Sequence, residues 1–488
     1  MGKIMKVKNT IALLLLAAAC CSCSLDIKQK SIIDASSMWK DESDMKAAMY
    51  GSFYSFRSAY KINLSYWGDF RSGVMGPGLG SFSGTAHVNN TLTSSEGKGT
   101  NWSTLYTCIN DCNVILKHLD DVKFSSTELR DQIAANAHFL RAHCYYTIAR
   151  VWGDAPLMLS GVESDKDDIL PERVDENLIY NQIALDLEEA ESLMPASVSD
   201  CTTGNSAAIH MLATDYWLWM YKVKNGGQQA LEAAATHVDQ VLADTRFGLL
   251  DNYADVFSVK NKGNKEIIFC LRFVRTTEEF TTYYDDYLIP TSKYTDDAYY
   301  MDQDLVKTGS QDQWYSFSET FQNFIYDVEE DTRATTSFAY FTVPESERTY
   351  SWINKFPGEW EAGVRYFTSD IPMYRYAEAV LFKAEIELAK GGDPLKWLNV
   401  IAKRAYGTDE YYPAGMRPDE IELAILDERL KEFTAEGKSW WDYIRMGYAF
   451  IKIPSLVGRQ DETNILLWPI AADCFADNPN IRQTVGYN

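Results

Sequence analysis

Residues 126–157 read STELRDQIAANAHFLRAHCYYTIARVWGDAPL, and this stretch decides the fold. Apolar side chains recur every three or four positions, through Leu129, Ile133, Ala137, Leu140 and Cys144 to Val151. That is the period of a helix with a buried face, not the alternation of a strand. Gly153-Asp154-Ala155-Pro156 then breaks it, as turn-forming residues do.

The pattern repeats outward. It predicts helices over Glu42–Tyr60, Thr104–Leu119, Val174–Leu193, Ser206–Lys224 and Gln229–Ala243, beside Ser126–Val151 itself. Segments such as Ser197 to Gly204 join them. Helices paired through short turns suggest a tetratricopeptide-like array, although the period of about 34 residues is not strict. Between Asn261 and Arg365 the rhythm stops. Glu266-Ile267-Ile268-Phe269 reads as a short strand, and Thr277 to Trp360 is rich in Tyr, Trp, Asp and Ser without a period. Helices resume at Pro372–Leu388, Leu395–Ala405, Pro418–Glu436 and Trp440–Met446. Long aperiodic runs inside compact proteins usually serve function. The expected fold class is therefore all-α: a superhelix of helical hairpins with a loop-rich ligand-binding face and minor short strands. Its parts are residues 1–22 as a leader, 23–260 and 366–488 as helical regions, and 261–365 as the aromatic loop region, with 261–488 packing on 23–260.

Residues 1–22 read as a cleaved signal. Lys3, Lys6 and Lys8 precede an apolar run from Ile11 to Cys21. As a helix that run is about 16 Å long, against roughly 30 Å of hydrocarbon in a bilayer, so it is too short to span. Small residues Ala17 to Ala19 and then Cys20, Cys21, Ser22 and Cys23 follow the pattern of a bacterial lipobox. Cys23 is the expected lipidation site, with Cys20 and Cys21 as alternatives. Several acyl chains on one cysteine exceed what stable anchoring needs.

A net charge of -23 argues against nucleic acid, whose phosphates demand clustered Lys and Arg. Cys108, Cys112, Cys144, Cys201, Cys270 and Cys474 are too scattered for a disulfide-stapled domain and read as buried thiols. None of the six histidines forms a His-Glu-x-x-His motif. Glu428, Glu432 and Glu436 follow at intervals of four, so they share one helix face. A glycan-cleaving enzyme needs carboxylates facing each other across a bond. Binding, rather than catalysis, is expected, with no cofactor.

Sugar recognition needs aromatic faces for the C–H surface and Asp, Asn, Arg or Gln for the hydroxyls. Two stretches have that mixture. One is Tyr66-Trp67-Gly68-Asp69-Phe70-Arg71, where Trp67, Asp69 and Arg71 are candidate contacts. The other is the middle region, where the candidates are Tyr284, Tyr294, Trp314 and Trp352. The acidic residues there offer an alternative use as oxygen ligands for a structural Ca²⁺.

Five local sequences, in order, resemble the SusD/RagB family of outer-membrane lipoproteins. They are Trp102-x-x-Leu105-Tyr106-x-x-Ile109-x-x-x-Asn113; Phe139-Leu140-Arg141-Ala142 with Tyr145-Tyr146 and Trp152 to Leu157; Asp370 to Glu378 with Ala384-Glu385; Glu428-Arg429, Glu432-Phe433 and Glu436 to Asp442; and Trp468-Pro469-Ile470 with Asn478-Pro479 through Gln483 to Gly486-Tyr487. Leu430 and Phe433 depart slightly from the fourth block, and Thr484-Val485 stands where a polar-proline pair is usual. The resemblance implies four tetratricopeptide-like units, a lipid anchor in the outer membrane with exposure at the cell surface, and a glycan ligand. It also implies a SusC-like TonB-dependent transporter as partner, over which the lipoprotein closes as a lid. The RagB branch implies peptide binding as the alternative. Arg141, Asp154, Arg375, Glu378, Glu428 and Glu436 are expected to hold helices together rather than to touch ligand.

Overall fold

The computed structural model describes residues 38–78, 85–164, 166–167, 169–275, 313–342, 347, 349–362 and 364–487. The chain separates into Met1–Lys40 and Asp41–Asn488, and the architecture below is that of the second unit. Cys20, Cys21 and Cys23 lie outside the described residues.

Helices dominate, as the periodicity predicts. In chain order they are α1 (Glu42–Gly68), the single turn α2 (Thr85–Val88), α3 (Ser103–His118), α4 (Thr127–Trp152), α5 (Glu176–Leu193), α6 (Ser206–Lys222) and α7 (Gly227–Ala243). After them come two short helices, α8 (Glu319–Ile325) and α9 (Arg333–Ser337), then α10 (Tyr376–Lys390), α11 (Pro394–Tyr406), α12 (Pro418–Glu432), α13 (Ser439–Arg445), α14 (Ala449–Lys452) and α15 (Ala472–Asp477). Four pairs pack together: α1 with α3, α4 with α5, α6 with α7, and α10 with α11. Their starts are written in the sequence. Asp41, Ser126, Asp175, Asn205 and Asp393 each accept a bond from a first-turn N–H, satisfying donors that a helix leaves unpaired. Among the described residues, no helix is long and apolar enough to cross a membrane.

Three boundaries differ from expectation. The first helix runs past Tyr60 to Gly68, which turns Tyr66 and Trp67 into the core. Pro372 does not start a helix. It lies in β8 (Ile371–Arg375), which pairs antiparallel with β2 (Ile267–Leu271), and both strands are wholly buried. The helix begins only at Tyr376. The helix from Pro418 stops at Glu432, before left-handed Ala435 and Gly437, so Glu436 lies beyond it. The described part of the middle region adds short strands to α8 and α9: β3 (Tyr315–Phe317) pairs with β1 (Met75–Pro77), β4 (Phe338–Thr342) with β5 (Thr349–Ile353), and β6 (Glu359–Glu361) with β7 (Val364–Tyr366).

Buried ion pairs tie the helices. Arg375 donates to Glu266 at 2.8 Å, to Glu432 at 2.9 Å and to both oxygens of Glu436 at 2.8 Å. Arg404 reaches Glu266 and Glu432, and Arg333 reaches Asp331 and Glu428. The Glu-x-x-x-Glu face therefore meets cations rather than a second acid. These cations hold the Glu432 and Glu436 carboxyls below the usual range, against the opposing effect of burial. Arg141 forms a bidentate pair with Asp186, at 2.6 and 2.9 Å, and Glu378 accepts from Arg429. Asp154 accepts the Glu176 N–H at 2.9 Å, at the start of α5. Each of these groups is spent on the scaffold.

Residues 468 and 469 meet the end of α4. The Trp468 N–H donates to Val151 O at 2.8 Å, and the Trp152 indole donates to Pro469 O at 3.1 Å. The six cysteines beyond residue 23 are free and buried.

Candidate functional site

Tyr66 to Arg71 lie beneath the strand region, not on its surface. Trp67 is 1% exposed, its indole donates to Gly99 O at 2.8 Å, and Tyr60 and Trp152 meet its ring edge-to-face. Asp69 accepts the Gly437 N–H at 2.9 Å and the Ser439 hydroxyl at 2.8 Å. Burial pushes its carboxyl up to about 6. Arg71 donates to Ile465 O at 2.5 Å, Leu467 O at 2.8 Å and Asn90 at 2.6 Å, between the rings of Trp440 and Trp468. The expectation that these three contact ligand is corrected: they are buried, and their polar atoms are engaged within the chain. The cause is the longer α1, whose last residue meets Gly437 so closely that a Cβ on Gly68 would stand 1.9 Å from Gly437 O. Only glycine permits that approach.

Phe70 carries the next layer. Its ring stacks on Tyr315 of β3, with centroids 4.1 Å apart and planes inclined by 19°. Tyr315, Ser316 and Phe317 of β3 are all buried, and Trp314 immediately precedes them. Trp314 is half-buried, and the ammonium of Lys98 lies 4.5 Å from its ring centroid. The Gly78 N–H donates to Trp314 O at 2.9 Å, extending the β1–β3 ribbon by one bond. The Gln313 amide donates to Ser351 O at 2.7 Å, and Ser316 meets Ser351 at 3.2 Å, which joins the ribbon to β5. Trp352 is 5% exposed and faces inward, so its assignment as a ligand contact is also corrected. Tyr284 and Tyr294 lie outside the described residues, as do most of the acidic groups considered for Ca²⁺.

A cleft of about 730 Å³ opens beside β1. Met75, Phe321 and Phe324 line its apolar part, and Asp327, Asp427 and Tyr443 its polar part. Burial pushes the Asp427 carboxyl up to about 6, and Asp327 pairs with Lys431. The volume suits a small ligand, and rings beside carboxylates suit a polyhydroxylated one. Sequence reading missed this cleft because its walls run from Ser72 to Ser455, segments far apart in the chain and none with a local motif. Among the expected contacts that the described residues include, only Trp314 is not buried, and it does not line this cleft.

Known proteins match the chain along its length. Residues 78–217 match a family model described as starch-binding associating with outer membrane, and residues 243–487 match the SusD family model. A SusD-like protein of Formosa agariphila is 24% identical over 513 residues, covering 96% of both chains. The starch-binding protein SusD of Bacteroides thetaiotaomicron is 30% identical over 129 residues, 25% of this chain and 22% of that one. Among solved structures, B. fragilis NanU superposes with a TM-score of 0.83 at 25% identity, covering 95% of this chain and 100% of its own. The motifs, the paired helices and these matches agree: the chain belongs to the SusD family, whose members are glycan-binding proteins associated with the outer membrane.

Proposed function

We propose that this protein is a surface-exposed lipoprotein, anchored through Cys23, that captures a glycan and passes it unaltered to a SusC-like TonB-dependent transporter. The observation that carries the binding role is half-buried Trp314, held at the end of the β1–β3 ribbon where the Tyr- and Asp-rich sequence 276–312 joins the scaffold. An indole there offers apolar surface to a sugar ring, while the bond from the Gly78 N–H to its carbonyl holds its backbone on the ribbon. The neighbouring cleft supplies carboxylates for hydroxyl groups. Tyr284 and Tyr294 belong to the same proposal as further stacking residues.

A glycan array probed with the full chain tests this reading. Binding to one glycan class, weakened about tenfold by Trp314→Ala, is the expected result, equivalent to roughly 1.4 kcal/mol. Binding to peptides and to no glycan would replace it with the RagB-type alternative. The anchor is tested separately: Cys23→Ser should move the protein from the outer-membrane fraction to the soluble fraction, and retention in the membrane would assign the lipid to Cys20 or Cys21.

A further inference from the structure

Away from the ribbon, three helices bring together a cluster that the glycan-binding role does not use. His210 lies on α6, His237 on α7 and Glu191 near the end of α5. The two Nδ1 atoms stand 3.1 Å apart, and Glu191 Oε2 is 3.7 Å from His237 Nδ1. One ligand atom from each residue lies within 4.8 Å of the others. Two nitrogens bound tetrahedrally at about 2.0–2.1 Å from one ion are separated by roughly 3.3 Å, close to the spacing seen here.

The chemistry of the donors narrows the ion. Two imidazoles and one carboxylate are poor ligands for Ca²⁺ or Mg²⁺, which take oxygen, and good ones for Zn²⁺ and its neighbours. Burial lowers the proton affinity of both histidines, favouring the neutral rings that ligate. Asp244, which also acts on His210, is already held by Arg246 at 2.6 Å and is not counted as a ligand. Glu191 is 45% exposed on its side chain, so solvent reaches the remaining coordination position.

We infer that Glu191, His210 and His237 form a site for a single divalent ion of the Zn²⁺ class, with water as fourth ligand, clamping α5 to the α6–α7 pair. No local motif announces it, because its histidines are 27 residues apart and meet only through helix pairing. In the absence of metal, one ring donates its Nδ1 proton to the other, which gives the competing state.

The test uses the full chain, stripped of metal and titrated with ZnCl₂ by calorimetry, then with Co²⁺ by visible absorption. One site of micromolar or tighter affinity is expected, together with the strong d–d bands of four-coordinate Co²⁺. His210→Ala and His237→Ala should each weaken Zn²⁺ binding by roughly 100-fold or more while leaving every cysteine in place. Saturating Zn²⁺ should raise Tm by about 1–4 °C in the parent and not in these variants. Glu191→Gln keeps shape and helix, so it serves if a histidine variant folds poorly, and it should also weaken binding. The proposal is overturned by the absence of a one-to-one site, by binding that survives all three substitutions, or by Co²⁺ spectra showing only weak six-coordinate bands.

Discussion

Two aromatic stretches of this chain look alike on paper and have opposite fates. Tyr66 to Arg71 and Gln313 to Phe317 both mix rings with polar groups. The first is wholly buried, every side chain partnered by distant backbone or rings. The second splits, with Tyr315 inward on Phe70 and Trp314 half-buried. The difference is secondary structure. Two extra turns of α1 carry Tyr66 and Trp67 into the core, whereas Trp314 precedes the buried strand β3 and keeps part of its ring exposed. Composition identifies residues able to bind sugar, but only the backbone decides which of them a sugar can reach.

That contrast can be broken by measurement. Trp67→Ala has the largest expected effect, a loss of about 3–5 kcal/mol in unfolding free energy from the cavity and the lost Gly99 bond. Denaturant melts giving under 1 kcal/mol would return Trp67 to the surface. Asp69→Asn comes next, with a cost that depends on pH. The folded carboxyl is raised above its unfolded value, so its contribution is fully present below about pH 4 and fades as pH rises through about 6. An amide does not titrate. The gap between parent and variant should therefore shrink by about 1–3 kcal/mol between pH 4 and 7. A pH-independent gap would mean that the Gly437 and Ser439 bonds fully offset burial, leaving the carboxyl unshifted. Trp314→Ala should be smallest for stability, within about 1 kcal/mol, because a half-buried ring leaves little cavity. A larger loss in melts would make Trp314 a core residue and remove the sharpest element of the binding site.

Much of the scaffold was legible. The 3–4 periodicity located the main helices, and the helix-holding roles expected of Arg141, Asp154, Arg375, Glu378, Glu428 and Glu436 match their partners in the structure, although Asp154 does this from an exposed position. Pro372 misled because an apolar run before a helix reads as its first turn, yet pairing with Ile267–Leu271 holds it extended. The site was less legible. Trp67 sits in a segment whose helical period fades after Tyr60, so its burial depends on contacts with Gly99, Trp152 and Gly437. The cleft beside β1 and the His210–His237 pair are tertiary facts with no local signature.

The closure of the first helices by the last residues has a consequence for how the molecule is made. Arg71 needs the carbonyls of Ile465 and Leu467, which lie 394 and 396 positions later, and Trp152 needs Pro469. A growing chain emerges from its N-terminus, so the early helices lack these partners until residues 465–469 have been made. A chain stopped before residue 465 lacks these carbonyls and leaves the buried Arg71 and Trp152 donors without them.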